Sequence, residues 1–344
     1  MTAPTVSIII PMRNEEAFIE TCLASLRQQS YAAERMEFLV LDGASADRSA
    51  ALVRQIAAHD PRVRLIDNPG RHQASGLNIG VAAATGDIVV RADAHATYGP
   101  AYVATCVEHL VAGRADNVGG RQCAATDGRY LGRAIAALLR TPLGAGDARY
   151  RLATSVCYTD TVWLGAWYRR TLLDLGGFDE TFVTNEDYEF NCRLRAAGGR
   201  ILLDPSLESS YYVRPSLKRL AWQYFRYGEG KVRTLRRHPR SLKVRQALPA
   251  LLTAMLLGAM ALAPWSWLPL AIIGGGYLAI LLLGSLQAAR EDWTFLPALP
   301  IIALIIHQAW GCGFLWALIT HGGLKRLGGM PPPACPAFLG KEQS

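Results

Sequence analysis

From Gln246 to Ala289 the chain contains no Asp, Glu, Lys or Arg. That is roughly 44 residues, enough for two helices of about 20 residues across a bilayer core. Trp293 to Leu324 is a third uncharged stretch. Helices with no polar face left for water are poor candidates for the core of a soluble protein, so residues 246–324 are expected to form about three transmembrane helices, with 325–344 as a tail. The remaining 215 or so residues need a different fold. MTAPTVSIIIP has no basic start and meets a proline after a short apolar run, which fits neither a secretory signal nor a span, so residues 1–215 are expected to stay cytoplasmic.

The formal net charge of +8 gathers ahead of the first hydrophobic stretch, at Lys231, Arg233, Arg236, Arg237, Arg240, Lys243 and Arg245. At a membrane boundary this density of positive charge marks a cytoplasmic flank, and it makes nucleic acid the weaker reading of the same run. The seven cysteines form no CxxC pair and are odd in number, so neither a disulfide framework nor a zinc site is expected.

The soluble part alternates. VSIIIPM (6–12), FLVLDG (38–43), VRLID (63–67) and DIVVRAD (87–93) read as strands, and the segments between them carry helical spacing. A β-α-β-α-β-α-β series implies an α/β fold with a largely parallel sheet and helices on both faces. In such sheets ligands bind beyond the carboxyl ends of the strands. Three polar groups follow strand ends here: Arg13-Asn14-Glu15, Asp42-Gly43 and Asp93-Ala94-His95. Ser45 or Asp47 is the expected cap of the helix that follows the second strand. Farther on, Asn185, Glu186 and Asp187 stand at the predicted start of a helix that Gly198-Gly199 ends.

IIIPMRNE, LDGASADRS, GLNIGVAAATGDIVVRADAH and LGGFDETFVTNEDYEFNCRLRAAG, in this order, resemble the successive motifs of family-2 inverting glycosyltransferases with a GT-A fold, Rossmann-like with flanking helices. The resemblance covers most of residues 6–230. The DAH variant, TVWLGAWYRR and QYFRYG followed by hydrophobic helices are similar, more narrowly, to glucosyltransferases of succinoglycan-like bacterial exopolysaccharide assembly.

The resemblance implies that Asp42 contacts the nucleotide, with Asn14 or Glu15 supplying a contact where the family more often has a second acid. It implies that Asp93 and His95 hold a divalent metal, Mn2+ or Mg2+, on the donor diphosphate. The family motif is Asp-x-Asp, and imidazole in place of the second carboxylate favours Mn2+ somewhat over Mg2+. If the strand stays extended, Asp93 and His95 face the same side; otherwise His95 hydrogen-bonds in the loop. Asp187 matches the family's catalytic base, and Glu186 an acceptor contact. Trp163, Trp167 and Tyr168 are candidates either for a sugar-stacking wall or for core packing.

SLKRLAWQYFRYGEGK (216–231) has Leu217, Leu220, Ala221, Tyr224, Phe225 and Gly228 at helical spacing, as in a helix lying in a membrane interface. The segment 216–245 is therefore expected to bind the bilayer surface. Its Gln223, Arg226 and Tyr227 resemble the QxxRW motif that borders acceptor and diphosphate in membrane-bound family-2 synthases. These expectations describe a transferase in the bacterial inner membrane with its catalytic domain in the cytoplasm. It would pass a hexose, glucose by resemblance, from a UDP-sugar to a polyprenyl-diphosphate-linked saccharide with inversion. A processive synthase of the cellulose or hyaluronan type and a non-catalytic nucleotide-sugar-binding membrane protein remain as alternatives.

Overall fold

The computed structural model describes residues 3–126, 128–212 and 216–321. The tail 325–344, with Lys325 and Arg326, and the end of the third uncharged stretch lie outside them, as does the side chain of Arg245. The described residues divide into two compact units. Of the described residues, the first holds those up to Cys123 and Ala153–Tyr211, the second Ala124–Leu152 and those from Tyr212 to His321. The second unit thus takes a segment from inside the stretch expected to form the first domain.

Among the described residues the first unit is built on nine strands: β1 (Val6–Met12), β2 (Met36–Asp42), β3 (Val63–Asp67), β4 (Ile88–Arg91), β5 (Ala96–Tyr98), β6 (Asn117–Ala125), β7 (Cys157–Tyr158), β8 (Trp163–Tyr168) and β9 (Ile201–Tyr212). Their order is β3-β2-β1-β4-β8-β6-β9-β5, and β7 pairs with β9 off this path. The first four strands are parallel, joined by helices Ile19–Arg27, Ser49–Ala57 and Gln73–Ala83, as the alternation predicts. From β4 outward the described pairings are antiparallel, so the sheet is mixed where a largely parallel one was expected. The β1 run buries both faces: Ile8, Ile9 and Ile10 are fully covered, and Ser7 is kept satisfied by donating to Glu37 Oε1 at 2.6 Å. Gly80 lets the helix Gln73–Ala83 lie close on this strand, since a Cβ there would collide with Ile9.

The chain winds β1 to β2 to β3 in one direction, then crosses back to place β4 on the other side of β1. The reversal leaves a crevice at the carboxyl ends of β1 and β4, the position that suits a ligand in this class of sheet. A second anchor faces it. Helix Glu186–Ala196 starts after Asn185, whose φ of 64° is left-handed, and stops before Gly198 at φ 87°. Phe190 on this helix packs against Trp167 and Phe178, at ring centroid distances of 5.8 and 5.0 Å, each pair worth about 0.5–1.5 kcal/mol beyond area burial. Trp167, 1% exposed, is therefore core and no sugar wall; Tyr168 is exposed and Trp163 half-buried against Tyr211. The same helix is fixed by Arg193, which donates to both Glu189 oxygens and to the carbonyls of Leu175 and Gly177.

In the second unit, helix Leu217–Arg237 runs six residues past its expected end. Its apolar face does not lie bare for a bilayer: a Cβ on Gly228 would strike the Trp310 carbonyl, and one on Gly313 that of Phe225. Helix Leu299–Thr320 therefore covers that face. Lys231, counted in the basic flank, is buried and donates to the Ser241 carbonyl at 2.8 Å. Among the described residues, two helices, Leu268–Glu291 and Leu299–Thr320, are long and apolar enough to cross a membrane by length and composition. About three were expected, but the apolar part of the preceding helix, Gln246–Leu262, falls short.

Candidate active site

The strand-end loops are stitched together before any ligand is considered. Asn14, at φ 56°, donates its N–H to Ser45 Oγ at 2.9 Å, and its side-chain oxygen accepts from Ala46 N–H at 2.8 Å. Asp42 holds the next turn by accepting from Ser45 N–H and Oγ through Oδ1, at 3.1 and 2.6 Å. Glu15 N–H donates to Ser49 Oγ. Asp47 accepts from Ser49 N–H at 3.0 Å just ahead of the helix Ser49–Ala57, but the N-cap position is Arg48, with no side-chain cap hydrogen bond, so neither Ser45 nor Asp47 is the cap that was expected. Ala44 and Arg71 also take positive φ, so tight left-handed turns follow β1, β2 and β3 alike. Such strain persists where the surroundings over-determine it, commonly at binding sites.

The structure places Asp93 at this same edge, 8% exposed, with Oδ1 accepting from Gln73 Nε2 at 3.1 Å. The extended conformation stops at Arg91, however, and Asp93–Ala96 closes a turn through Ala96 N–H to the Asp93 carbonyl. Strand alternation therefore does not align Asp93 with His95, as the same-side argument required. His95 Nδ1 instead faces Glu15 Oε1 at 3.2 Å. A carboxylate on Nδ1 favours the tautomer with its proton there and the lone pair on Nε2, the arrangement that orients a metal-ligating histidine.

The residue that sequence reasoning passed over is Arg91. It is 4% exposed, and its guanidinium meets three carboxylates: NH2 is 3.4 Å from Asp93 Oδ1, NH1 is 3.3 Å from Glu186 Oε1 and 3.9 Å from Asp187 Oδ2. Its Nε and NH1 have no hydrogen-bond partner of good geometry. Burial works against the charge, but Asp93, Glu186 and Asp187 outweigh it and hold Arg91 firmly cationic. Burial pushes Glu186 up to about 7, the Asp187 charge adds to the rise, and Arg91 opposes it. Asp187 is the accessible member of the pair, its side chain 26% exposed against 5% for Glu186. Its Oδ1 accepts from Tyr188 N–H at 2.7 Å.

Asp93, Asp187, Glu186 and Arg91 thus form one cluster, to which Glu15 and His95 contribute a neighbouring pair from adjacent strand ends. Gln223, Arg226 and Tyr227 belong to the second unit, on helix Leu217–Arg237. There Gln223 Nε2 donates to Tyr227 Oη at 2.8 Å, and Arg226 pairs with Glu229 at 3.1 Å.

Among the described residues, no group of three or more His, Cys, Asp or Glu side chains could hold a metal by itself. The donor set nevertheless fits an ion completed by a substrate: Asp93 offers a carboxylate and His95 an oriented imidazole, and ions on nucleotide phosphates commonly take one or two protein ligands.

Residues 7–173 match the model of the family described as Glycosyl transferase family 2. The chain is 31% identical over 316 residues to the succinoglycan biosynthesis protein ExoA of Rhizobium meliloti, covering 91% of this chain and 95% of that protein. It is 29% identical over 235 residues to a dolichyl N-acetyl-alpha-D-glucosaminyl phosphate 3-beta-D-2,3-diacetamido-2,3-dideoxy-beta-D-glucuronosyltransferase of Methanococcus voltae, covering 66% and 72%. In fold it is similar to a mannosyltransferase of Pyrobaculum calidifontis solved with GDP-Man and Mn2+, with TM-score 0.57, 23% identity and coverage of 89% and 88%.

Proposed function

Because the chain belongs to glycosyl transferase family 2, we propose that it is an inverting hexosyltransferase that uses UDP-glucose and extends a polyprenyl-diphosphate-linked saccharide in bacterial exopolysaccharide assembly. The observation that carries this reading is the position of Arg91, one buried cation in reach of both the donor-side acid Asp93 and the Glu186-Asp187 pair. An inverting transfer needs a nucleophile activated opposite the leaving diphosphate, so a base must stand in fixed relation to the donor site.

In this reading Asp42, Asn14 and Glu15 receive the nucleotide and sugar, Asp42 through Oδ2, which carries no hydrogen bond among the described residues. Asp187 takes the proton of the acceptor hydroxyl as its oxygen bonds to the anomeric carbon and the bond from that carbon to the diphosphate breaks. Glu186, deeper and closer to neutral, contacts the acceptor. Gln223, Arg226 and Tyr227 would border acceptor and diphosphate. Asp93 and His95 Nε2 would hold a divalent ion, which when bound supplies Lewis-acid neutralisation of the departing diphosphate. The chain would sit in the inner membrane with the catalytic sheet on the cytoplasmic side; its association with a membrane is supported by the apolar helices and by the exposure of the apolar side chains Leu268, Ile272, Leu278, Ile280 and Leu283.

The test supplies radiolabelled UDP-sugars, Mn2+ and a lipid-linked saccharide pool to membranes containing the protein, and reads UDP release and lipid-extractable label. One donor should give both. Binding of a UDP-sugar with no release from any donor would favour a sensor over an enzyme of this kind. In the same assay His95→Ala should raise the Mn2+ concentration for half-maximal activity by about 10-fold or more. An unchanged metal titration would confine His95 to its contact with Glu15.

A further inference from the structure

Helix Leu299–Thr320 has the length of a membrane span, yet its neighbours in the second unit argue against a crossing. The connector before it is tied to the segment Ala124–Leu152: Tyr130 Oη donates to the Thr294 carbonyl at 2.7 Å, and Arg133 lies over the Phe295 ring at 5.2 Å. Farther along, His307 Nε2 donates to the Leu143 carbonyl at 2.9 Å. That contact lies about 12 Å from the helix start at 1.5 Å per residue. From Trp310 on, the helix runs against Leu217–Arg237, where Gly228 meets Trp310 and Gly313 meets Phe225. Val232 and Leu235 of that helix cluster with Phe314 and Ala317 near its far end.

Both companions are confined to one side of a membrane. The 31 residues from Thr126 to Val156 leave the sheet after β6 and return to it at β7, and they include Arg129, Arg133, Arg140, Arg149 and Arg151. Two crossings need about 40 predominantly apolar residues, so this excursion cannot go across and come back. Helix Leu217–Arg237 follows shortly after β9 and carries Lys218, Arg219, Arg226, Arg233, Arg236 and Arg237. Such a helix does not enter hydrocarbon. Charged segments anchored on the side of the catalytic sheet thus hold the connector before this helix and run beside it from His307 to Ala317, while the two preceding apolar helices touch it at Thr253–Gln308 and Tyr277–His307.

We infer that Leu299–Thr320 lies along the cytoplasmic face of the membrane and does not cross it, so that the connector Ala289–Ala298 at its start and His321 at its end both stay on the cytoplasmic side. Lipid contact then falls to Val244–Leu262 and Leu268–Ala288, whose intervening turn exposes Trp265 and Trp267. Aromatic residues of this kind settle at bilayer interfaces. Lys325 and Arg326 accord with a cytoplasmic position under the positive-inside bias. The inference rests on the membrane association proposed above.

The test uses the full chain with Thr294→Cys or Gln343→Cys, a membrane-impermeant maleimide, and peptide mass spectrometry to locate the label, so that native cysteines remain. Both positions should label in inverted membrane vesicles and lose that label in intact spheroplasts. Label at either position from the outer side overturns the inference, as does a connector that labels from neither side, which would lie within the bilayer. Recovery of the protein in the membrane pellet is scored separately. A chain absent from the pellet removes the membrane reading and this inference with it, whereas a pelleted chain labelled from outside removes this inference alone.

Discussion

Asp187→Asn should leave donor binding near its normal strength and lower turnover by about 10² to 10⁴. The substitution is nearly isosteric, and the contact that Asp187 makes inside the fold survives it, since an amide oxygen can accept from Tyr188 N–H as the carboxylate Oδ1 does at 2.7 Å. The distance of 3.9 Å to Arg91 is too long for a hydrogen bond, so little structural support is lost there. What disappears is the ability to take a proton at a side chain still open to the crevice. Titration of UDP-sugar binding beside single-turnover UDP release separates the two effects. Turnover equal to the unsubstituted enzyme would take Asp187 out of the base role, and a matching loss of binding would recast it as a donor contact.

The sequence displays one half of this architecture far better than the other. β1 to β4 are buried on both faces and joined by helices, so each appears as an apolar run closed by polar residues, and the strand-end groups Asn14, Glu15, Asp42 and Asp93 follow from that pattern. The antiparallel half leaves almost no such trace. β5 and β7 have three and two residues, β6 contains Gly119-Gly120, and β9 carries Asp204-Pro205-Ser206 in its middle and Glu208-Ser209-Ser210 after it. The helix of Glu186 and Asp187 was legible through its acidic start and glycine stop. Its relation to β4 was not, because that depends on Arg91, whose partners lie some 95 residues downstream. An arginine inside DIVVRAD was itself a signal, since a charge on a strand buried on both faces must be paired. The direction of the apolar helices was equally hidden: absence of charge marks what can enter a membrane, whereas the segments packed beside a helix decide whether it does.

Arg91→Met should destabilise the first unit by about 3–5 kcal/mol, the range for removing one partner of a buried charge group. Methionine keeps much of the volume, so the loss comes from Asp93, Glu186 and Asp187 left facing one another without a cation. The pH dependence gives the assignment its sign. Glu186 ionises in the folded protein at about 7, above its ordinary 4.5, so between these values the folded state holds a proton that the unfolded chain has released. Stability associated with this group is greatest below pH 4.5 and falls as pH rises toward 7. Without Arg91 the ionised form loses its support, and the decline extends to higher pH. Glu186→Gln should flatten it. In Arg91→Met with Glu186→Gln the loss should be smaller than the sum of the two single losses, because the neutral amide removes one of the charges that the arginine served. Urea unfolding from pH 4.5 to 8 on the four proteins measures this coupling, and strictly additive losses would show that Arg91 supports the fold independently of Glu186.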